Sequence, residues 1–296
     1  MIDSTYIPDP PEFSEEQTKA CHESRDFRPM LFEWNKFIAL LCNYFSLIHP
    51  KSPMLRSIPK IHYSVCVGLL NRCSRLMLSN LSQEGRHDES TSIIDRCIFE
   101  SCVILTWLCL KNDKESFERF LADGLKTELA FKSDIEKNIK KRKGQINVIE
   151  DRMLTSINNK IISSTLTESQ IRGTKKLPDI AAMLEKIGHS RLMYTVGQKI
   201  ASHFVHGTWP DLTFHYLEIT PEGFWSPHNH INSTHQNQYI FVSLVVLDAM
   251  KSFIEFCIAD QKDRLSINEL IDSVIINIQN IKKETDENNF DVIPTI

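Results

Sequence analysis

Glycine is scarce, with 9 residues in a chain of 296. Sandwiches, barrels and dinucleotide-binding sheets place glycine at their turns and phosphate loops, so this scarcity argues for helices. Excess positive charge is lacking too. Thirty-four Lys and Arg stand against 38 Asp and Glu, a formal net charge of -4, which excludes a constitutively basic nucleic-acid coat. Long apolar runs are absent. The greasiest stretches are Cys97–Leu110, too short to span a bilayer and holding Glu100, and Tyr239–Ala259, broken by Asp248, Lys251 and Glu255. No membrane association is expected. The opening MIDSTYIPDPPEFSEEQ has neither a basic start nor an apolar core, so a cytoplasmic location is expected. The eight cysteines form no C-x-x-C pair and fall inside apolar helical patterns, where reduced thiols serve as small core residues. No glycine-rich phosphate loop, G-x-S-x-G elbow or zinc-knuckle spacing occurs.

What is present is a succession of helical patterns. After a Pro-rich arm over residues 1–29, apolar periodicity marks Met30–Ile48, Lys60–Leu81, His87–Leu110 and Asp113–Lys143, with Asp88, Ser90 and Ser92 as caps of the third. Ile146–Ser163 reads as a helix or a long connection. Helices over Asp179–Ile187 and Ser190–His206 follow, closed by Gly188 and Gly207. Residues 207–236 break the pattern, with Leu212–Ile219 a short strand or extended loop. Helix resumes over Asn237–Ala259. In the last helix Ser266 and Glu269 spell a capping box ahead of an isoleucine stripe from Ile267 to Ile281. The expected fold is an all-α antiparallel bundle: one helical domain over 30–287, an irregular insertion at 207–236 and a tail at 288–296.

Chemistry concentrates on two of these helices. Glu100 is the only charge between Cys97 and Leu110, and Arg96 stands one turn before it on the same face. A helix apolar all round is buried, so the carboxylate needs a partner or a proton. Arg96 supplies one, yet a guanidinium has donors to spare. In Ser190–His206 the residues Met193, Val196, Ile200 and Phe204 form an apolar face, flanked by Gln198, Ser202 and His206. The expected site is Arg96 and Glu100 meeting Ser202 and His206 across a helix–helix contact. Such a cluster either performs chemistry or pins helix register as a satisfied polar network. The run Lys140, Lys141, Arg142 and Lys143 complements its helix C-terminus and is a candidate nucleic-acid contact.

The strings SIIDRCIFESCVILTWL (92–108) and YTVGQKIASHFVHGTW (194–209) resemble an uncharacterised bacterial all-helical family, a domain of unknown function. Its recognisable elements are Arg-x3-Glu, here Arg96 and Glu100, and Ser-x3-His, here Ser202 and His206. More remotely the chain is similar to HEPN-type helical proteins, many of them ribonucleases of bacterial toxin and antiviral systems. Their signature sets Arg and His on one helix. The spacing match here, Arg56 to His62, is interrupted by Pro59, so a comparable pair arises only if Arg96 and His206 meet from two helices.

The HEPN likeness implies a metal-independent, RNA-cleaving effector of a prokaryotic defence or toxin system. His206 would take a proton from a ribose 2′-hydroxyl and Arg96 would steady charge on the phosphate. Glu100 would orient Arg96, and Ser202 would bond the histidine. RNA, a protein partner from a defence operon and a second copy are the expected partners. No cofactor or metal is expected. His203, His206, His215, His228, His230 and His235 crowd one region, but di-metal bundles need a Glu-x-x-His on each of two helices, and the sequence has that spacing once, at Glu84 and His87. The competing reading is a non-catalytic helical interaction module whose Arg–Glu–His cluster is structural.

Overall fold

The computed structural model describes residues 7–85, 90–227 and 234–289. It is an all-α protein with one two-stranded hairpin among the described residues. Backbone contacts gather the chain into two compact units, one of residues 1–110 with 180–296 and one of 111–179. The expectation of a single helical domain over 30–287 does not contain that division.

The larger unit starts with α1 (Glu15–Ser24), inside the segment read as an arm. Ser14 and Gln17 form a reciprocal capping box there, and Cys21 packs inside. Next come α2 (Arg28–Ser46), α3 (Lys60–Gln83) and α4 (Thr91–Lys111). The cap candidate Asp88 lies outside the described residues; Ser92 falls within α4, not before it. α3 and α4 run antiparallel in a strict register. Cys66 meets Cys109 at 4.0 Å, Cys73 meets Cys102 at 3.6 Å, and Asn80 meets Asp95 at 2.6 Å. Each step of seven residues along α3 is answered by seven back along α4, the repeat of two helices that keep one seam facing. All eight cysteines are free thiols, and all but Cys97 are buried.

Beyond α8 (Ile180–Lys186) and α9 (Arg191–Tyr194), a six-residue π-helical segment, Thr195–Ile200, leads into α10 (Ala201–His206). Gly207, at φ 58°, turns the chain away. α11 (Trp209–His215) opens with Pro210 in its first turn. The Leu212–Ile219 expectation is therefore corrected: its first half is helix, and only Leu217–Ile219 is extended. That segment, β1, pairs antiparallel with β2 (Trp225–Pro227). α12 (Gln236–Cys257) is buried along most of its length against α2 and α3, and α13 (Gln261–Asn289) lies along it. α13 begins earlier than the Ser266 capping box suggests, because the Asp260 carboxylate accepts the Asp263 N–H at 3.0 Å and caps the helix first. The isoleucine stripe is nonetheless the buried face, through Ile267, Ile271, Val274, Ile278 and Ile281.

The smaller unit holds α5 (Lys114–Lys141), α6 (Val148–Ser163) and α7 (Glu168–Gly173). Asp113 caps α5 by accepting the Ser116 N–H, and Asn147 with Glu150 forms the capping box of α6. Its core is apolar: Leu125 and Leu129 of α5 against Ile157 and Ile161 of α6 and Ile171 of α7. Ion pairs such as Lys132–Glu168 at 2.7 Å and Lys160–Glu128 at 2.6 Å bind its outside.

Candidate functional site

The residues 191–206 form one continuous helical rod whose π turn holds one residue more than an α turn would. That extra residue rotates everything after it. The face expected to pack, Val196 and Ile200, is half out in solvent at 41% and 47% exposure, whereas Gly197 and Ala201 are buried. The packing face has moved by one position. Gly197 makes this possible, because a Cβ there would sit 2.7 Å from ring carbons of Phe99 on α4. Only hydrogen fits.

This close approach delivers the polar flank to α4. Arg96 Nε donates to Glu100 Oε1 at 2.9 Å, Arg96 Nη1 donates to Ser202 Oγ at 3.0 Å, and Gln198 Nε2 donates to the same Glu100 oxygen at 3.1 Å. The structure thus joins Arg96, Glu100 and Ser202 and adds Gln198. The Arg96 side chain keeps 20% of its surface exposed. Two of its five N–H donors are used, so three are uncommitted among the described residues.

His206 is not part of that network. It is exposed at the end of α10 and bonds none of Arg96, Glu100 and Ser202. One helical turn, about 5.4 Å of rise, separates it from Ser202. Histidine meets the site elsewhere. His215 and His235 line the pocket beside Arg96, and His203 Nδ1 lies 2.7 Å from the Thr208 hydroxyl. His228 and His230 lie outside the described residues. Lys140, Lys141, Arg142 and Lys143 end α5 in the other compact unit. Three of them are exposed lysines, whereas Arg142 is paired with Glu150, whose carboxyl that hydrogen bond holds below the usual range.

Arg96 borders a cavity of about 490 Å³ between α4, the π segment with α10 and α11, and the start of α12. Val196, Ile200, Phe204, Phe214 and Phe241 give it apolar walls. Its polar groups are few: Asp95, Arg96, Gln238 and the nearby hydroxyls and histidines. That size and lining suit a small organic ligand.

Asp95 is the residue the sequence reading missed. It is 8% exposed and lines both this cavity and a void of about 10 Å³ beside Asn35 and Asn80. Asn80 Nδ2 donates to its Oδ1 at 2.6 Å and Gln238 Nε2 to its Oδ2 at 3.3 Å. No cation among the described residues pairs with it. Burial pushes its carboxyl up to about 7, against the two amide hydrogen bonds, which pull it down. Gln238 is held rigidly, since its Oε1 accepts the His235 N–H at 3.0 Å and its Nε2 also donates to Ser92 Oγ at 2.8 Å. The sequence did carry a signal: Asp95 stands seven residues before Cys102 and fourteen before Cys109, so a carboxyl occupies a seam position.

The fold and site define an all-α protein with an arginine-bearing, aromatic-walled cavity beside a buried carboxyl. The model of a family of unknown function, DUF5677, matches residues 63–224. That match spans more than half of the chain, and the protein belongs to this family. Neither a curated protein nor a solved structure matches it.

Proposed function

We propose that the cavity receives a nucleotide unit of an RNA strand, its phosphate on Arg96 and its base between the aromatic walls. One observation carries this reading: Arg96 is held in place by Glu100 and Ser202, with three N–H groups uncommitted among the described residues, at the edge of a cavity. A preorganised guanidinium is the side chain best matched to two oxygens of one phosphate. Phe204, Phe214 and Phe241 offer faces on which a base stacks. In this reading the protein is a cytoplasmic, HEPN-like effector of a prokaryotic defence or toxin system that acts on RNA without a metal. Glu100 orients Arg96, and Ser202 fixes its far nitrogen. A strand crossing α10 brings a ribose 2′-hydroxyl to His206, one turn from Ser202, where the imidazole takes its proton as the oxygen bonds the adjacent phosphorus and the 5′-oxygen leaves, taking a proton from water. Lys140, Lys141 and Lys143 of the smaller unit are, by themselves, a candidate contact to nucleic-acid phosphates whose strength falls with salt.

The test is binding and cleavage of a labelled single-stranded RNA at low salt, with melting measured in parallel. Arg96→Ala should weaken binding at least tenfold in a protein that stays folded, its melting lowered only by the loss of the Glu100 and Ser202 bonds. His206→Ala should stop cleavage and leave binding intact. A wild-type protein that binds no RNA overturns the reading. The four-residue network of Arg96, Glu100, Ser202 and Gln198 also favours a second role, a register pin in a non-catalytic interaction module. Arg96→Ala would then lower the melting temperature while the wild type shows no RNA binding.

A further inference from the structure

Along the α3–α4 seam two layers are thiol pairs and the third is Asn80 with Asp95. A carboxyl in such a layer is costly unless something answers it, and among the described residues the answer is two side-chain amides, not a cation. Both amides donate. Gln238 cannot turn its carbonyl toward Asp95, because Oε1 is committed to the His235 N–H and Nε2 is shared with Ser92. Each Asp95 oxygen accepts one hydrogen bond among the described residues, a carboxylate oxygen can accept two, and the residue borders the cavity. What remains is a carboxyl on the lining of an aromatic-walled space that also holds an arginine.

A carboxylate's two oxygens match two N–H groups on neighbouring atoms, as they match a guanidinium. Among the four RNA bases only guanine offers that pair, its ring N1–H beside its exocyclic amino group. Adenine and cytosine set an amino donor beside an acceptor, and uracil sets its single N–H between two carbonyls. The cavity of about 490 Å³ is of the size that takes ligands of this kind.

We propose that the Asp95 carboxylate, held by Asn80 and Gln238, reads the N1–H and amino edge of guanine, so that this cavity is a guanine-nucleotide subsite. The inference rests on the nucleotide reading above and adds base choice to it. Asp95 binds the base edge and Arg96 the phosphate of the same nucleotide. The ring packs among Phe204, Phe214 and Phe241. Two ligand N–H groups offset the burial that lifts the Asp95 carboxyl to about 7, as the two amide hydrogen bonds already do in part.

The experiment is calorimetric titration of the full chain at pH 8, where the carboxyl is ionised, with GMP, IMP, AMP, CMP and UMP. GMP should bind at least tenfold tighter than AMP, as one bidentate base contact provides. IMP, which keeps N1–H and lacks the amino group, should fall between them. Asp95→Asn should erase the preference for GMP and leave residual binding of all five. The GMP–IMP comparison needs no variant, so a misfolded Asp95→Asn does not spoil it. Equal binding of the five nucleotides overturns the base reading and leaves the phosphate reading standing. Failure to bind any nucleotide or single-stranded RNA overturns both. Tighter binding of free arginine than of GMP overturns guanine as the ligand.

Discussion

The two compact units solve the problem of charge differently. In 111–179 the buried side chains are uncharged, from Ala122 and Leu125 to Ile171 with only Ser116 and Ser164 polar among them, and the charges stay outside in ion pairs. In the larger unit an equally apolar seam is interrupted at one layer by Asp95, with Asn35 and Ser243 buried nearby. The first arrangement needs only packing. The second places a desolvated acceptor against a cavity, an expense that stability alone does not explain.

The largest effect expected from this contrast is on pH dependence. The Asp95 carboxyl stands at about 7 in the folded protein and near the ordinary carboxylate value of 3.8 when unfolded. Between those values the folded state holds a proton that the unfolded state has released. Stability should therefore fall as pH rises from about 4 to about 7, by up to roughly 1.4 kcal/mol per pH unit and on the order of 4 kcal/mol in all. Urea unfolding at pH 4 and pH 8 measures it. In Asp95→Asn most of the decline should vanish; an unchanged decline would mean that Asp95 is not its source.

A matched glycine pair sharpens the same comparison. Gly197→Ala drives a methyl into the Phe99 ring and should destabilise by about 1–3 kcal/mol. Gly124→Ala, in the middle of α5 with nothing within 4 Å, should instead stabilise by about 0.5–1 kcal/mol. Thermal melting of the two variants checks whether their shifts have opposite signs. Ser202→Ala removes one partner of Arg96 and should cost about 1 kcal/mol. Lys137→Ala, which breaks an exposed pair with Asp134, should move melting by less than about 0.5 kcal/mol.

Helix positions were legible wherever a cap or an apolar stripe spoke locally. Asp113 starts α5, Gly188 and Gly207 end their helices at positive φ, and the isoleucine stripe of α13 faces inward. The arm hid α1 although Ser14 and Gln17 spelled its capping box, because prolines on either side drew attention to breakage. Ser266 misled because a capping pattern inside a helix reads the same as one at its start. α11 was hidden by Pro210, which is permitted in a first turn.

At the candidate site, the i,i+4 pair Arg96 and Glu100 followed from spacing, and the donor surplus of arginine pointed to a further partner, which is Ser202. The rest was out of reach. Steps of 100° per residue cannot foresee a π turn, so the buried face was assigned to Val196 and Ile200 when Gly197 and Ala201 hold it. The placement of His206 in the cluster failed at the same point. Asp95 escaped because its meaning depends on α3 and α12, which supply Asn80 and Gln238 from distant parts of the chain.

The most direct test of the central claim is a crystal structure of the full protein grown with the dinucleotide GpU. A base is expected between Phe204, Phe214 and Phe241, with a phosphate oxygen about 3 Å from Arg96. A cavity closed over by protein, with the remaining Arg96 donors bonded to protein oxygens and the dinucleotide elsewhere or absent, would contradict it.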